Sequence, residues 1–179
     1  SPIAGATPTS YYLKKYCDAS VDLRPNYSNT KRHSWITFRL GEFYLNYAEA
    51  TFRYLESPDA TDSDLTLSAS EAINVIRKRS GVDMPEFPAG MSNSDFEKKY
   101  MNERMVELAF EGHRFWDVRR WEKGELLKSI DRMKITKTGT VFTFTREKKE
   151  RSWNDKMYFF PIPDSERRKN PNLIQNTGW

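Results

Sequence analysis

The chain has 179 residues, enough for one domain, with 37% hydrophobic, 30% charged and 14% aromatic residues and a net charge of +4. That aromatic content excludes disorder, which needs few large apolar side chains. Its basic residues fall in short runs beside acids, as in Glu147-Lys148-Lys149-Glu150, and form no stripe or motif of the kind nucleic acids require.

Residues 1–34 read as loop-rich, with Pro2, Pro8 and Pro25 and the polar run Asn26-Tyr27-Ser28-Asn29-Thr30. Tyr11, Tyr12, Leu13 and Tyr16 are expected in a short packed strand or helical turn, and Cys17 as a small half-buried residue. A single cysteine rules out an intrachain disulfide. Residues 35–55 lack proline and read as a long helix. Ser68-Ala69-Ser70-Glu71 has capping-box spacing and opens a second helix, with Gly81 as its stop. Ser94-Asp95-Phe96-Glu97 opens a third that runs to about Glu111, where Gly112 can interrupt it; Gly124 ends the stretch beyond. Thr140–Thr145 alternates like a strand. Met157–Phe160 is its expected partner, with 146–156 as a long loop. Residues 164–179 should hold a short helical turn and an irregular end. No apolar run approaches the roughly 18 residues of a membrane span.

Two helices carry a narrow polar stripe on an otherwise apolar surface. Arg39, Glu42, Asn46, Glu49 and Arg53 recur at helical spacing in the first; Arg104, Glu107, Glu111 and Arg114 do so near residues 104–115. A helix apolar almost all round is buried, so both need neighbours on several sides, including helices from a segment outside this chain. Charges so enclosed must be paired. Arg39, Glu42, Glu49, Arg53, Arg104, Glu107, Glu111 and Arg114 are therefore expected to form structural ion pairs, with partners available within each helix.

The sharpest catalytic alternative is a glycosidase using carboxylates from Glu103, Glu107, Glu111 and Asp117. It needs one carboxyl held protonated by an apolar pocket or a like charge. Neighbouring arginines act in the opposite direction. His33 and His113 lie on different elements with no metal-ligand spacing, and no nucleophile elbow or phosphate loop is present. The sequence implies no catalytic residue, no metal site and no cofactor. Trp153, Trp179, Phe87, Tyr11 and Tyr12 lie outside the long helices and offer sugar-sized apolar faces, although packing is the commoner use of such residues.

Three stretches in order are specific: Arg39-Leu40-Gly41-Glu42-Phe43-Tyr44-Leu45-Asn46-Tyr47-Ala48-Glu49-Ala50; Glu103 to Trp121, containing Glu111-Gly112-His113-Arg114-Phe115-Trp116-Asp117-Val118-Arg119-Arg120-Trp121; and Tyr158-Phe159-Phe160-Pro161-Ile162-Pro163 followed by Asn170 to Trp179. Together they resemble the C-terminal part of the SusD/RagB family over residues 11–179, with Thr177 where a proline is common. The resemblance implies a mainly α fold of tetratricopeptide-like helix pairs with a small C-terminal β-hairpin and irregular loops. It makes residues 1–179 the C-terminal portion of a SusD-like domain whose N-terminal half is absent from this chain. It implies a non-enzymatic, cell-surface protein of the outer membrane that binds glycan or another nutrient. The implied partners are an oligosaccharide and a SusC-like TonB-dependent transporter, with membrane attachment only through a lipid anchor on the missing N-terminal part. It transfers no ligand-contacting residue. The alternative is a tetratricopeptide-like module that grips a protein or peptide.

Overall fold

A computed structural model describes residues 7–22, 24, 26 and 29–179; Pro2, Pro25, Tyr27 and Ser28 of the expected loop lie outside them. The fold is mainly α, with one two-stranded antiparallel sheet among the described residues. Two compact units divide the chain, residues 32–114 and residues 1–31 with 115–179.

The 32–114 unit holds α1 (Leu40–Leu55), α2 (Ala69–Arg77) and α3 (Asn93–Glu107). α1 starts five residues later than the sequence suggests, because Arg39 is extended (φ −150°, ψ 156°) and the segment before it offers no capping side chain there. α2 opens as expected: Ser68 Oγ accepts from the Glu71 N–H, and Glu71 accepts from the Ser68 N–H in return. It ends at Arg77, and Gly81 (φ 81°) sits in the turn beyond. α3 is capped by Ser92 rather than Ser94, with Ser92 Oγ accepting from Asp95 N–H at 3.1 Å. It stops at Glu107 instead of continuing to Glu111, since Phe110 (φ 63°) and Gly112 (φ 85°) turn the chain left-handed before α4 (His113–Arg120).

Leu45, Ala48, Phe52, Ala72, Ile73, Ile76, Phe96 and Leu108 form the core of this unit. Phe52 and Phe96 meet at 4.7 Å between ring centroids, a pair contributing about 1 kcal/mol beyond its burial. The Asn74 amide clamps the following loop, accepting from Phe87 N–H at 2.7 Å and donating to Phe87 O at 3.3 Å. Full enclosure of the helices is not met within these residues. Leu40, Phe43 and Tyr54 on α1 and Val106 on α3 remain exposed.

In the other unit a 3₁₀ turn (Gly124–Leu127) leads into β1 (Ser129–Thr138) and β2 (Val141–Glu150). They pair from Ser129↔Glu150 to Thr138↔Val141 around a two-residue loop. Gly139 (φ 63°) takes its first position, which a type II′ hairpin turn reserves for glycine. This corrects the expected pairing: the partner of Thr140–Thr145 is β1, and residues 146–150 belong to β2, not to a loop. Met157 lies in a 3₁₀ turn (Asp155–Tyr158) capped by Asn154. Cys17 is exposed rather than half-buried, and Tyr11, Tyr12 and Leu13 are exposed in irregular chain.

α5 (Asp164–Lys169) is the expected short helical turn. The tail then folds back on Phe159–Pro163. Gln175 exchanges two hydrogen bonds with the Ile162 backbone (2.8 and 3.0 Å), Asn176 donates to Phe160 O, and the Trp179 indole donates to Lys156 O. Gly124 packs directly beneath the Trp153 indole, where any β-carbon would overlap the ring, while its N–H donates to Tyr158 Oη at 2.8 Å. Gly124→Ala should therefore cost about 1–3 kcal/mol of stability by overpacking; a denaturation midpoint equal to wild type would refute this packing.

Candidate functional site

The two polar stripes read from the sequence meet each other. Arg53 pairs with Glu97, Tyr100 Oη donates to Glu49 at 2.7 Å, Arg104 donates to Asn46 at 2.6 Å, and Arg39 reaches Glu107 and Glu111. Residue numbers fall along α1 as they rise along α3, so the helices are antiparallel; Arg104–Asn46 and Arg39 with Glu107 and Glu111 join the two stripes, while Glu97 and Tyr100 lie outside the second. Pairing expected inside each helix is instead made between them in these contacts. Glu42 faces His113, the first residue of α4, at 3.6 Å, and Arg114 is the second residue of that helix.

At one end of this zipper the guanidinium of Arg39 closes the C-terminus of α3. Its Nε donates to Glu111 Oε2 at 2.7 Å, Nη1 to Glu107 Oε1 at 2.5 Å, and Nη2 to the Glu107 backbone carbonyl at 2.5 Å. That carbonyl belongs to the last residue of α3, where helix geometry leaves it without an intrahelical donor, and a cation there also opposes the helix dipole. Arg79 adds a two-pronged contact to the Glu107 carboxylate at 2.6 and 2.9 Å. Glu111 and Glu107 side chains keep only 3% and 10% of their exposure.

Burial by itself would raise the Glu107 carboxyl. The hydrogen bonds and charges of Arg79 and Arg39 outweigh it and hold the group below its ordinary value of 4.5. Arg39 is pushed upward despite its own burial, by the hydrogen bonds it donates to Glu111 and Glu107. Tyr100 is raised by burial first and by the Glu49 charge second. Gly41 makes room for this packing: a β-carbon there would stand 2.7 Å from Arg39 Nη1 and 3.1 Å from Glu107 Oε1. The glycine's importance was not visible in the sequence, because it depends on the Arg39 side chain folding back over it to meet Glu107 of α3.

The remaining residues weighed for chemistry are dispersed. Glu103 pairs with Arg77, and Asp117 with Arg120 at 3.2 Å. Among the described residues no His, Cys, Asp and Glu group is arranged to hold a metal ion, and no helix is long and apolar enough to cross a membrane. Of the aromatics offered as sugar faces, Phe87 is buried, Trp153 packs edge-on to Tyr158 at 5.1 Å, and Trp179 lies under the Lys156 ammonium. Tyr11 and Tyr12 are exposed. A depression of about 390 Å³ between α2, the 85–87 loop and α3 is lined by Arg77, Phe87, Lys98, Lys99, Asn102 and Glu103, among others.

A depressed carboxylate contributes stability that is complete above its unfolded value of about 4.3 and is lost as pH falls through the lower folded value. The stability of wild type should therefore decline between about pH 5 and about pH 3 more steeply than that of Glu107→Gln, which lacks this titration. Denaturation midpoints across that range measure it; parallel slopes would contradict the depressed carboxylate.

The SusD family model matches residues 1–179. The chain is 28% identical over 166 residues to the SusD-like protein P25 of Formosa agariphila, covering 92% of this chain and 27% of that protein. Among solved structures it is similar to a SusD-like protein (BF3747) from Bacteroides fragilis, with 32% identity, a TM-score of 0.65, and coverage of 82% of this chain and 26% of that one. It is similar also to BT4246, with 30% identity, a TM-score of 0.59, and coverage of 84% and 24%. The chain thus spans about a quarter of the length of these relatives.

Proposed function

The chain belongs to the SusD family, and on that premise we propose that it is part of a non-catalytic protein that binds an oligosaccharide or another nutrient at the bacterial cell surface. The bound nutrient is handed to a SusC-like, TonB-dependent transporter in the outer membrane. Residues 1–179 serve as the C-terminal portion of the binding domain. Helices from the longer protein cover the exposed Leu40, Phe43 and Tyr54 of α1, and a lipid on its N-terminal part holds it to the membrane.

The supporting observation is the state of the two best-placed carboxylates. Glu107 and Glu111 are nearly excluded from water and tied to Arg39 and Arg79. A general acid must keep its proton near neutral pH, and the Glu107 environment favours losing it. On this reading Arg39, Glu42, Glu49, Arg53, Arg104, Glu107, Glu111 and Arg114 are structural residues.

Calorimetry of the intact protein against a panel of oligosaccharides should show saturable binding, with no release of reducing ends on long incubation. Cleavage would establish an enzyme. Silence toward every sugar combined with tight peptide binding would establish the peptide-gripping alternative.

A further inference from the structure

Residues 132–146 contain Arg132, Lys134, Lys137 and Arg146 and no acidic residue. The β1–β2 register sorts these cations by face. Directly opposed residues share a face, and faces alternate along each strand. Arg132 and Lys134 fall on the face of Glu147 and both pair with it, at 2.9 and 3.3 Å. Threonines 136, 138, 143 and 145 occupy most of the rest of that face toward the turn. The opposite face carries Met133, Ile135, Phe142 and Phe144, bracketed by Arg146 and Lys137, with Asp131, Lys148 and Glu150 farther from the turn. Ile135, Phe142 and Phe144 are 48%, 53% and 64% exposed. Among the described residues neither Lys137 nor Arg146 makes an ion pair; the Lys137 ammonium lies 5.3 Å from the Phe142 ring centroid.

Toward the turn one face is thus lined mostly by threonines, and the other is apolar and flanked by two cations that make no ion pair among the described residues. We propose that the second face docks on an anionic lipid surface. Ile135, Phe142 and Phe144 enter the boundary between headgroups and acyl chains, while Lys137 and Arg146 reach the phosphates. Apolar residues beside Lys and Arg suit such an interface, because long cationic side chains extend toward the headgroups while their stems stay in apolar surroundings. The core of a protein–protein interface instead disfavours lysine. Lying flat also keeps the open strand edges at the hydrated boundary, so no unpaired backbone group enters hydrocarbon.

The test is co-sedimentation of the intact protein with vesicles of phosphatidylcholine alone or mixed with phosphatidylglycerol. Binding is expected only to the anionic vesicles and should weaken with salt. Each cation near an anionic surface contributes about five-fold, so Lys137→Gln with Arg146→Gln should weaken binding by about 25-fold. Phe142→Ser with Phe144→Ser, at positions already half or more exposed, should abolish it while the circular dichroism spectrum stays unchanged. Because Cys17 is the single cysteine, a Cys17→Ser background allows an environment-sensitive dye to be placed at Ile135→Cys or at Thr136→Cys. Anionic vesicles should shift the emission to the blue at 135 and not at 136. Equal affinity for both vesicle types, absence of binding, or equal shifts at the two positions would overturn the proposal.

Discussion

Glu107 is the residue on which three helices of the 32–114 unit converge. Its carboxylate takes Arg39 from the start of α1 and Arg79 from just beyond α2, while its own backbone carbonyl, free because α3 ends there, takes a third hydrogen bond from Arg39. Arginine suits this position and lysine does not, since a planar fork can serve two carboxylates and a carbonyl at once. Burying such charges brings little net stability compared with a well-packed apolar cluster, but removing one member strands the others away from water. The arrangement therefore acts as a constraint on register. α1 and α3 can slide past each other only by breaking contacts at Arg53, Glu49, Asn46 and Arg39 together.

This constraint bears on function by subtraction. Glu103, Glu107, Glu111 and Asp117 each lie in an ion pair, and the surroundings of Glu107 favour its ionised form. Among the described residues the exposed aromatic side of α1, the depression beside Phe87 and the amphipathic hairpin are open surfaces. Surfaces of this kind suit capture and docking.

Much of this was legible in the sequence, for identifiable reasons. The spacing of Arg39, Glu42, Asn46, Glu49 and Arg53 fixes one helix face, and Ser68 with Glu71 fixes a helix start through local hydrogen bonds. Spacing cannot say which helix a stripe will face, so the pairing of α1 with α3 was open to the intrahelical alternative. β1 escaped notice because Ser129–Thr138 is exposed along most of its length and does not show the clean alternation of a half-buried strand. The start of α3 was misplaced by two residues because Ser92 and Ser94 both precede an acid three residues on, and only Ser92 makes the cap. Gly41 and Gly124 gained meaning only once Arg39 and Trp153 were placed against them.

The most direct test of this account is a double-mutant cycle in the intact protein, comparing Arg39→Met, Glu107→Met and the pair by chemical denaturation. If the two groups are one enclosed unit, each single replacement should cost about 3 kcal/mol and the pair much less than their sum, since neither charge is then stranded. Additive losses, with a coupling near zero, would mean that the contact is incidental and that something else aligns the helices.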